Sequence, residues 1–323
     1  MRALLVVNPK ATTTSGRTRD VLIHALRSDL KLEVAQTEYR GHARDLAREA
    51  VEDGAVDLVV ALGGDGTVNE VVNGLLSHGP GDRVPRLAVV PGGSTNVFAR
   101  ALGLPNDPVE ATGVLLDALE HRSERPIGLG KAMTEGLPDR WFTFTAGLGF
   151  DAGVVGRVEE QRRAGRKSTH ALYVTQALRH FVTQREQRRS GPVSLLLAGR
   201  EPVPGLALAI VSNTSPWTFL GNRPVYPSPR ASFDADLDVF GITRMTAFGI
   251  ARTVRQILRS HGSSTNEGVP TGPSGKHVVS YHDVRHFTLV SEEPVPFQVD
   301  GDHLGSRSRV SFTGVRRALR VIV

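Results

Sequence analysis

The sequence predicts an α/β N-terminal domain with a parallel sheet and a second, mainly antiparallel domain of the β-sandwich type. Three observations support this prediction. The chain has 323 residues, more than one hydrophobic core usually organises. Residues 1–120 alternate short β-branched runs with helical periodicity. After residue 126, short apolar runs bounded by Gly, Pro, Ser or Asp dominate the sequence, which is typical of antiparallel strands.

In the N-terminal part, helical patterns separate the apolar runs. Leu22, Leu26 and Leu30 mark one face of a first helix, and a third helix is predicted from Thr67 to about Ser77. Strands alternating with helices indicate a parallel sheet covered on both faces. The predicted strands are 3–7, 32–36, 56–62 and 87–90.

The second part has many strand-like segments and only two predicted helices, 168–188 and 246–260. The segment 261–275 is rich in Gly, Ser and Pro and is predicted to be a loop. The predicted strands are 141–146, 193–197, 206–211, 237–241, 278–281, 287–290 and 295–299.

Composition excludes several classes of protein. With 40% apolar and 22% charged residues the chain is predicted to be globular, and with no cysteine it has no disulfide framework or thiolate nucleophile. No apolar run approaches the ~20 residues of a membrane span, so we expect a cytoplasmic protein. The net charge of +6 favours a polyanionic partner. We expect no nucleic acid, because the arginines crowded into 157–189 are not interleaved with aromatic residues.

The strongest motif is the turn Gly63-Gly64-Asp65-Gly66-Thr67, which follows a predicted strand and precedes a helix. Glycines let main-chain N–H groups converge on an anion, and the helix N-terminus adds positive potential. Asp65 would repel a bare phosphate, which indicates an intervening divalent cation and so a nucleoside triphosphate. The alternative is a capping box, with Thr67 as N-cap and Glu70 at the third helical position.

Two further loops follow predicted strands: the hydroxyl-rich segment 8–17 and the segment 91–96, Pro-Gly-Gly-Ser-Thr-Asn. Each alone is explained by helix N-capping. Ligands of parallel sheets bind beyond the carboxyl ends of the strands, so three such loops at one edge favour phosphate binding.

Together these motifs resemble the diacylglycerol kinase catalytic-domain superfamily, in particular its bacterial soluble lipid kinases. The turn at 63–67 is also found in NAD kinases and phosphofructokinases, whose nucleotide-binding domains look similar, but the ordered set is more specific. The resemblance implies that the C-terminus returns to the first domain, giving domains 1–125 with 308–323, and 126–307. The motifs are Asn8-Pro9, 63–70, 91–99, 147–151, 234–239 and 299–302.

The resemblance also implies roles for individual residues. Asp300 and Asp302 match an acidic pair near the acceptor hydroxyl; the family usually has Glu at 302, which leaves open which of the two is the base. Asp65 would place Mg²⁺, and Asp234 would bind a second Mg²⁺ with the carbonyls of Ala231 and Asp236. Ala235 and Val97 depart from the family pattern, and a polar strand entry is the alternative for 234–238. The implied ATP-binding residues are Asn8, Thr37, Gly63, Gly64, Asp65, Gly66, Thr67, Asn69, Glu70, Gly93 and Ser94.

The expected reaction is transfer of the γ-phosphate of ATP to a lipid alcohol, with diacylglycerol the first choice and phosphatidic acid the product. An NAD kinase-like enzyme and a non-catalytic nucleotide- or lipid-binding regulator are the alternatives, and a homodimer is left open. We expect peripheral contact with an anionic membrane through the arginines of 157–189 and the apolar residues Trp217, Phe219 and Leu220. Asp65→Ala is expected to abolish turnover with the fold intact.

Overall fold

The computed structural model describes residues 1–11, 15–149, 191–259 and 271–323, apart from the Ala247 side chain. The predicted helix 168–188 and the Arg-rich segment lie outside this range. The chain forms two compact units, unit 1 (residues 1–129 and 316–323) and unit 2 (130–315). The divisions fall four and eight residues after the predicted boundaries, because two strands, Glu124–Met133 and Asp302–Ile322, run through those boundaries without interruption.

Unit 1 contains a parallel sheet in the order β16-β4-β3-β1-β2, in which the end of β16 joins through Val321 opposite Leu87. β16 is the strand Asp302–Ile322, whose last residues belong to this unit. The elements are β1 Arg2–Val7, α1 Gly16–Asp29, β2 Lys31–Gln36, α2 His42–Asp53, β3 Leu58–Gly63, α3 Asp65–Leu75, β4 Arg86–Pro91, α4 Val97–Ala101 and α5 Pro108–Glu120.

The core of unit 1 follows directly from the apolar pattern. All six residues of β3 are buried, as a central parallel strand requires. Leu22 and Leu26 of α1 are buried and pack against the sheet core, as predicted. Helix α5 was missed, although Asp107 accepts hydrogen bonds from the main chain of Val109 and Glu110 and Pro108 occupies the first turn, both typical helix starts.

Unit 2 is built on antiparallel strands in the order β14-β13-β10-β7-β15-β16, with β8 beside β15 and β9 beside β8. A two-stranded hairpin, β11-β12, is separate from this sheet. The elements are β5 Glu124–Met133, β6 Arg140–Phe142, β7 Thr145–Gly149, β8 Val193–Leu197, β9 Val203–Leu206, β10 Leu208–Ser212, β11 Thr218–Leu220, β12 Arg223–Val225, β13 Leu237–Ile242, α6 Ala247–Arg259, β14 Val278–Val284 and β15 His286–Val299.

A group of four aromatic rings lies in the core of unit 2. Phe312 lies at the centre of three ring contacts, stacked on Phe287 at 5.2 Å between centroids and edge-on to Phe142 and Phe297. All four rings are buried, and such pairs add about 0.5–1.5 kcal/mol beyond their buried area. The fold class predicted from sequence is confirmed: a parallel α/β unit and a mainly antiparallel β unit. No helix in the described residues is long and apolar enough to cross a membrane.

Candidate active site

Two glycine pairs in unit 1 pack directly against each other. Gly63 ends β3 and Gly64 follows it, Gly92 and Gly93 follow β4, and the Gly92 N–H donates to the Gly63 carbonyl at 2.8 Å. A Cβ on Gly93 would lie 2.6 Å from the Gly64 Cα, and a Cβ on Gly92 would lie 3.1 Å from the Gly63 Cα. The two loops therefore touch main chain to main chain, which a side chain at either pair would prevent.

This packing, and not a backbone conformation closed to residues with a Cβ, explains why the loops need glycine. None of the glycines at 63, 64, 66, 92 and 93 has a positive φ, so left-handed backbone conformation does not explain them. Gly64, for example, is extended with φ −87° and ψ −179°. Close approach of two backbones is the explanation, and it is a tertiary property that the motif alone does not reveal.

Two asparagines hold the loops in place. Asn8 donates from Nδ2 to Thr67 Oγ1 at 3.1 Å and accepts from the Lys10 N–H at 2.9 Å. Asn96 has a left-handed φ of 50°, and its side chain exchanges two 2.8 Å hydrogen bonds with the main chain of Gly93. The segments after β1, β3 and β4 thus form one hydrogen-bonded assembly at the carboxyl edge of the sheet.

Asp65 is the first residue of α3, and its carboxylate spans to the start of α4. Oδ2 accepts the Val97 N–H at 3.0 Å and Oδ1 accepts the Phe98 N–H at 3.1 Å. The Asn96 side chain makes no cap hydrogen bond to α4, so Asp65 supplies the capping acceptors from a distant part of the chain. Asp65 is half-buried, and its carboxylate links the turn at 63–67 to the helix that follows the 91–96 loop.

The capping-box interpretation of the turn at 63–67 is wrong. Helix α3 begins at Asp65, two residues before Thr67, and its N-cap is Gly64, which has no side-chain acceptor. Glu70 does not reach back to an N-cap; its Oε1 accepts the N–H of Gly41, 29 residues away, at 2.9 Å. The first main-chain N–H groups of α3 therefore receive no acceptor from a capping side chain, which is the arrangement that binds anions at helix N-termini.

The other predicted ATP-binding residues lie on the same segments. Thr37 directly follows β2, and its N–H donates to the Val7 carbonyl at 2.9 Å. Ser94 is exposed in the third loop, and Gly66 is exposed in the first turn of α3, where a Cβ would meet open space. Asn69 differs: it is buried, and its main-chain and side-chain oxygens accept from Asn73 Nδ2 one helical turn away.

In unit 2, Asp300 lies in the turn between β15 and β16 with a left-handed φ of 47°. Its Oδ2 accepts the N–H and the hydroxyl of Thr143, and its Oδ1 accepts the N–H groups of Phe144 and Thr145, at 2.7–3.1 Å. Burial raises the pKa of Asp300, and the four hydrogen bonds oppose that rise. A carboxylate with both oxygens engaged in this way is a structural acceptor for the 143–145 turn.

Asp302 differs from its neighbour in exposure and in partner. Its side chain is 27% exposed, and Oδ2 lies 3.4 Å from a guanidinium nitrogen of Arg140. Asp302 is thus partly exposed and Asp300 is buried, although only Gly301 separates them. No local motif signals Arg140 or Thr143, because each contacts a residue distant in the chain. Asn96 lies in the 91–96 motif, but its hydrogen bond to Asn106 has no signal in the sequence.

A family model described as the diacylglycerol kinase catalytic domain matches residues 2–132, which include all three loops. Over these residues the chain is similar to the diacylglycerol kinase catalytic domain. The match ends near the division between the two units, so it covers the candidate phosphate-binding loops and leaves out the Asp300–Asp302 turn.

Curated relatives agree with this assignment. A diacylglycerol kinase of Bacillus subtilis (strain 168) is 40% identical over 137 residues, which cover 40% of this chain and 41% of that protein. A diacylglycerol kinase of Staphylococcus carnosus (strain TM300) is 24% identical over 343 positions, covering 99% and 94%. The match at 40% identity thus spans about two fifths of the Bacillus subtilis protein's length. The match that runs through both units, to the Staphylococcus carnosus protein, has the lower identity of 24%.

Solved structures share the fold of the whole chain. A crystal structure of a putative diacylglycerol kinase from Bacillus anthracis str. Sterne aligns with a TM-score of 0.70 at 23% identity, covering 99% of this chain and 96% of the other. A second diacylglycerol kinase structure from the same strain aligns with a TM-score of 0.67 at 21% identity. The fold of each unit of this chain is therefore shared with these structures.

The residues predicted to hold a second metal ion lie in the loop before β13. Asp234 is exposed, and Asp236 is 7% exposed with its N–H donating to Asp283 Oδ1 at 2.7 Å. The donors are carboxylate and carbonyl oxygens, the ligand type that Mg²⁺ prefers. Asp238, two residues further on, contacts a histidine instead: it is buried, and its Oδ1 lies 2.6 Å from His282 Nδ1. Burial raises the pKa of Asp238, against the opposing effects of the Asp283 N–H and of His282.

Among the described residues, one group of three acidic or histidine side chains brings its ligand atoms within 4.8 Å of one another: Asp117, Glu120 and His121 at the end of α5. All three are exposed, and neither Asp234 nor Asp236 belongs to such a group. The oxygen donors of the 231–236 loop fit a magnesium ion. A complete ligand set would need the main-chain carbonyls of Ala231 and Asp236 in addition to the Asp234 carboxylate.

Proposed function

We propose that this protein is an ATP- and Mg²⁺-dependent lipid kinase that phosphorylates the hydroxyl of diacylglycerol and releases phosphatidic acid. The observation that carries the proposal is the contact between the two glycine pairs beside the N-terminus of α3. Gly64 caps α3 without a side chain, so the N–H groups of the first helical turn can receive a polyphosphate. The match of residues 2–132 to the diacylglycerol kinase catalytic-domain model supports the choice of reaction.

On unit 1, the triphosphate of ATP would lie against the first turn of α3 and the loop at 91–96. Gly66 leaves room there, and Thr67 and Ser94 offer hydroxyl groups. Asp65 would hold Mg²⁺ with the carboxylate that also accepts the N–H groups of Val97 and Phe98. When bound, Mg²⁺ supplies positive charge that offsets the charge of the transferring phosphoryl group.

On unit 2, Asp302 is the better of the two candidates for the general base. Asp300 has both oxygens engaged by the 143–145 turn, whereas Asp302 is partly exposed and held by Arg140. In the proposed step the acceptor oxygen bonds to the γ-phosphorus, the bond from that phosphorus to the bridging oxygen breaks, and ADP leaves. The hydroxyl proton passes to the Asp302 carboxylate as transfer proceeds, because an alcohol is too weak an acid to ionise beforehand.

The loop at 231–236 would hold a second Mg²⁺ with a structural role. Asp234 and the carbonyls of Ala231 and Asp236 would be its ligands, and the hydrogen bond from the Asp236 N–H to Asp283 would keep the loop against β14. Removal of this ion is expected to lower the thermal stability of unit 2, by an amount that rises with the logarithm of the Mg²⁺ concentration once that exceeds the dissociation constant.

The test is phosphate transfer from labelled ATP with Mg²⁺ to a panel of acceptors: diacylglycerol, sphingosine, ceramide, a polyprenol and NAD. We expect transfer to diacylglycerol, its loss in Asp302→Asn, and full activity in Asp20→Asn, an exposed aspartate of α1. Transfer to NAD with none to any lipid would make the protein an NAD kinase-like enzyme. ATP binding without transfer to any acceptor would make it a non-catalytic regulator.

A further inference from the structure

The exposed large apolar side chains of unit 2 are concentrated on one hairpin and one helix. Among its described residues they are Leu220, 39% exposed, in β11, and Phe248 and Val254, 82% and 46% exposed, in α6. Phe248 is the most exposed large apolar residue in the described chain. Isolated exposed residues need no explanation, but three on adjoining elements do.

The hairpin and the helix are joined by hydrogen bonds. An Arg223 guanidinium nitrogen donates to the Leu258 carbonyl at 3.0 Å, and the Tyr226 N–H donates to the Ile257 carbonyl at 3.2 Å. The inner face of α6 packs on the core of unit 2 through Ile250 and Ile257. Its outer face therefore has a fixed orientation relative to the β11-β12 hairpin.

Two residues expected to contact a membrane are turned the other way. Trp217 packs against the same core as Ile250 and Ile257, and Phe219 is only 8% exposed. Leu220 alone of the three predicted residues is exposed. Alternation along β11 explains this outcome, because neighbouring side chains of a strand point to opposite faces.

The outer face of α6 carries one aromatic residue and a row of arginines. Phe248, Arg252, Arg255 and Arg259 are spaced i, i+4, i+7 and i+11, which places them in a single stripe, and all four are exposed. No Asp or Glu occurs in residues 213–225 or 243–259. The stripe is therefore positively charged, with no acidic residue on its own helix or on the hairpin to offset it.

We propose that the outer stripe of α6, formed by Phe248, Arg252, Arg255 and Arg259, docks the protein on a bilayer that contains anionic lipid. Phe248 would enter the boundary between headgroups and acyl chains while the arginines contact lipid phosphates. A second copy of the chain is a poorer occupant, since a symmetric contact would bring two arginine stripes together. The inference deepens the proposed function, because diacylglycerol is found in bilayers. It rests on the proposed function only where it links docking to the lipid acceptor.

The experiment is sedimentation of the full chain, without ATP, with vesicles of phosphatidylcholine alone or of phosphatidylcholine and phosphatidylglycerol in equal parts. We expect binding to the anionic vesicles that weakens with salt. Arg252→Gln with Arg255→Gln should weaken it about 30-fold, as two charges near an anionic surface do, and Phe248→Ala about tenfold. The matched controls, Arg27→Gln with Arg83→Gln and Val21→Ala, change exposed residues of unit 1 and should bind like wild type.

Two further measurements keep the outcomes distinct. Thermal unfolding of each variant should match wild type, because the substituted side chains are exposed. Phosphate transfer to a short-chain, water-soluble diacylglycerol should be unchanged in the α6 variants, so a failure of the kinase proposal would appear in this assay and not in sedimentation. Equal binding of α6 variants and wild type, or a dimer in analytical ultracentrifugation that Phe248→Ala dissociates, would overturn the docking proposal.

Discussion

Asp65 in unit 1 and Asp300 in unit 2 were both expected to act in the chemistry, and both accept hydrogen bonds from distant main-chain N–H groups. Asp65 accepts two, from the start of α4, and stays half-buried. Asp300 accepts four hydrogen bonds at the 143–145 turn and is 6% exposed. We therefore expect Asp65, which stays accessible, to act in the chemistry and Asp300, which is buried against the main chain, to support the 143–145 turn.

The largest effect should separate Asp302 from Asp300. Asp302→Asn is expected to lower turnover about 10²–10⁴-fold with unchanged unfolding temperature, the loss typical of a removed general base. Asp302→Glu should retain most activity, since a carboxylate remains. Turnover is measured with saturating ATP and diacylglycerol, and unfolding by circular dichroism.

Asp300→Asn should behave in the opposite way. Its amide nitrogen would face one pair of main-chain or hydroxyl donors, and each donor left without an acceptor in a buried turn costs about 1–3 kcal/mol. We expect a lower unfolding temperature for this variant as the primary defect. A variant with wild-type stability and no turnover would instead assign the base to Asp300.

The next effect concerns Asp65. Asp65→Ala is expected to lower turnover at least about 10²-fold, through loss of phosphate and metal positioning. The structure adds a cost that the motif did not predict: the main-chain N–H groups of Val97 and Phe98 lose their acceptor, which should destabilise unit 1 by about 0.5–2 kcal/mol. Near-wild-type turnover at saturating Mg²⁺ would contradict the assignment.

A smaller effect tests the contact between the loops. Gly93→Ala places a Cβ 2.6 Å from the Gly64 Cα and should destabilise unit 1 by about 1–3 kcal/mol, with weaker ATP binding as a result. Gly66→Ala is the matched change, because its Cβ meets open space and its φ is not positive. Chemical denaturation should leave Gly66→Ala as stable as wild type, and only its ATP affinity should fall. Equal stability of both variants would refute the packing explanation of the glycines.

The smallest effect is expected for Glu124, a carboxylate whose partner is a side chain. Arg86 hydrogen-bonds it and lowers its pKa, and the Glu124 side chain is 36% exposed. A lowered folded-state pKa stabilises the fold above the unfolded pKa of about 4.3, and this contribution is lost as pH falls through the folded value. Glu124→Gln should therefore cost less than about 1 kcal/mol at neutral pH, after solvent screening, and nothing at low pH. Urea denaturation at several pH values checks this.

Much of unit 1 could be predicted because its signals are local. The buried run Leu58 to Gly63 and the α1 face of Leu22 and Leu26 have periods that burial alone explains. The start of α3 was misplaced by two residues, because Thr67 and Glu70 match a capping box in sequence while their side chains bond to Asn8 and Gly41 in space. Local patterns cannot report partners that are 29 or 59 residues away.

In unit 2 the sequence predicted that both carboxylates of the 300–302 turn matter and could not rank them. Ranking requires knowing that the turn after Phe142 aims its N–H groups at Asp300 and that Arg140 reaches Asp302. Likewise Trp217, Phe219 and Leu220 were equivalent as apolar residues until strand alternation buried one face.

By itself, the sequence determined the two-part α/β and β architecture, the three loops that follow parallel strands and the acidic turn near the end of the chain, because periodicity, glycine content and charge are written in neighbouring residues. Only the tertiary structure decided why the glycines are needed, which aspartate is held by the main chain and which apolar side chains stay in water. Those properties depend on close approach and on hydrogen-bond partners from distant segments, which exist only once the chain has folded.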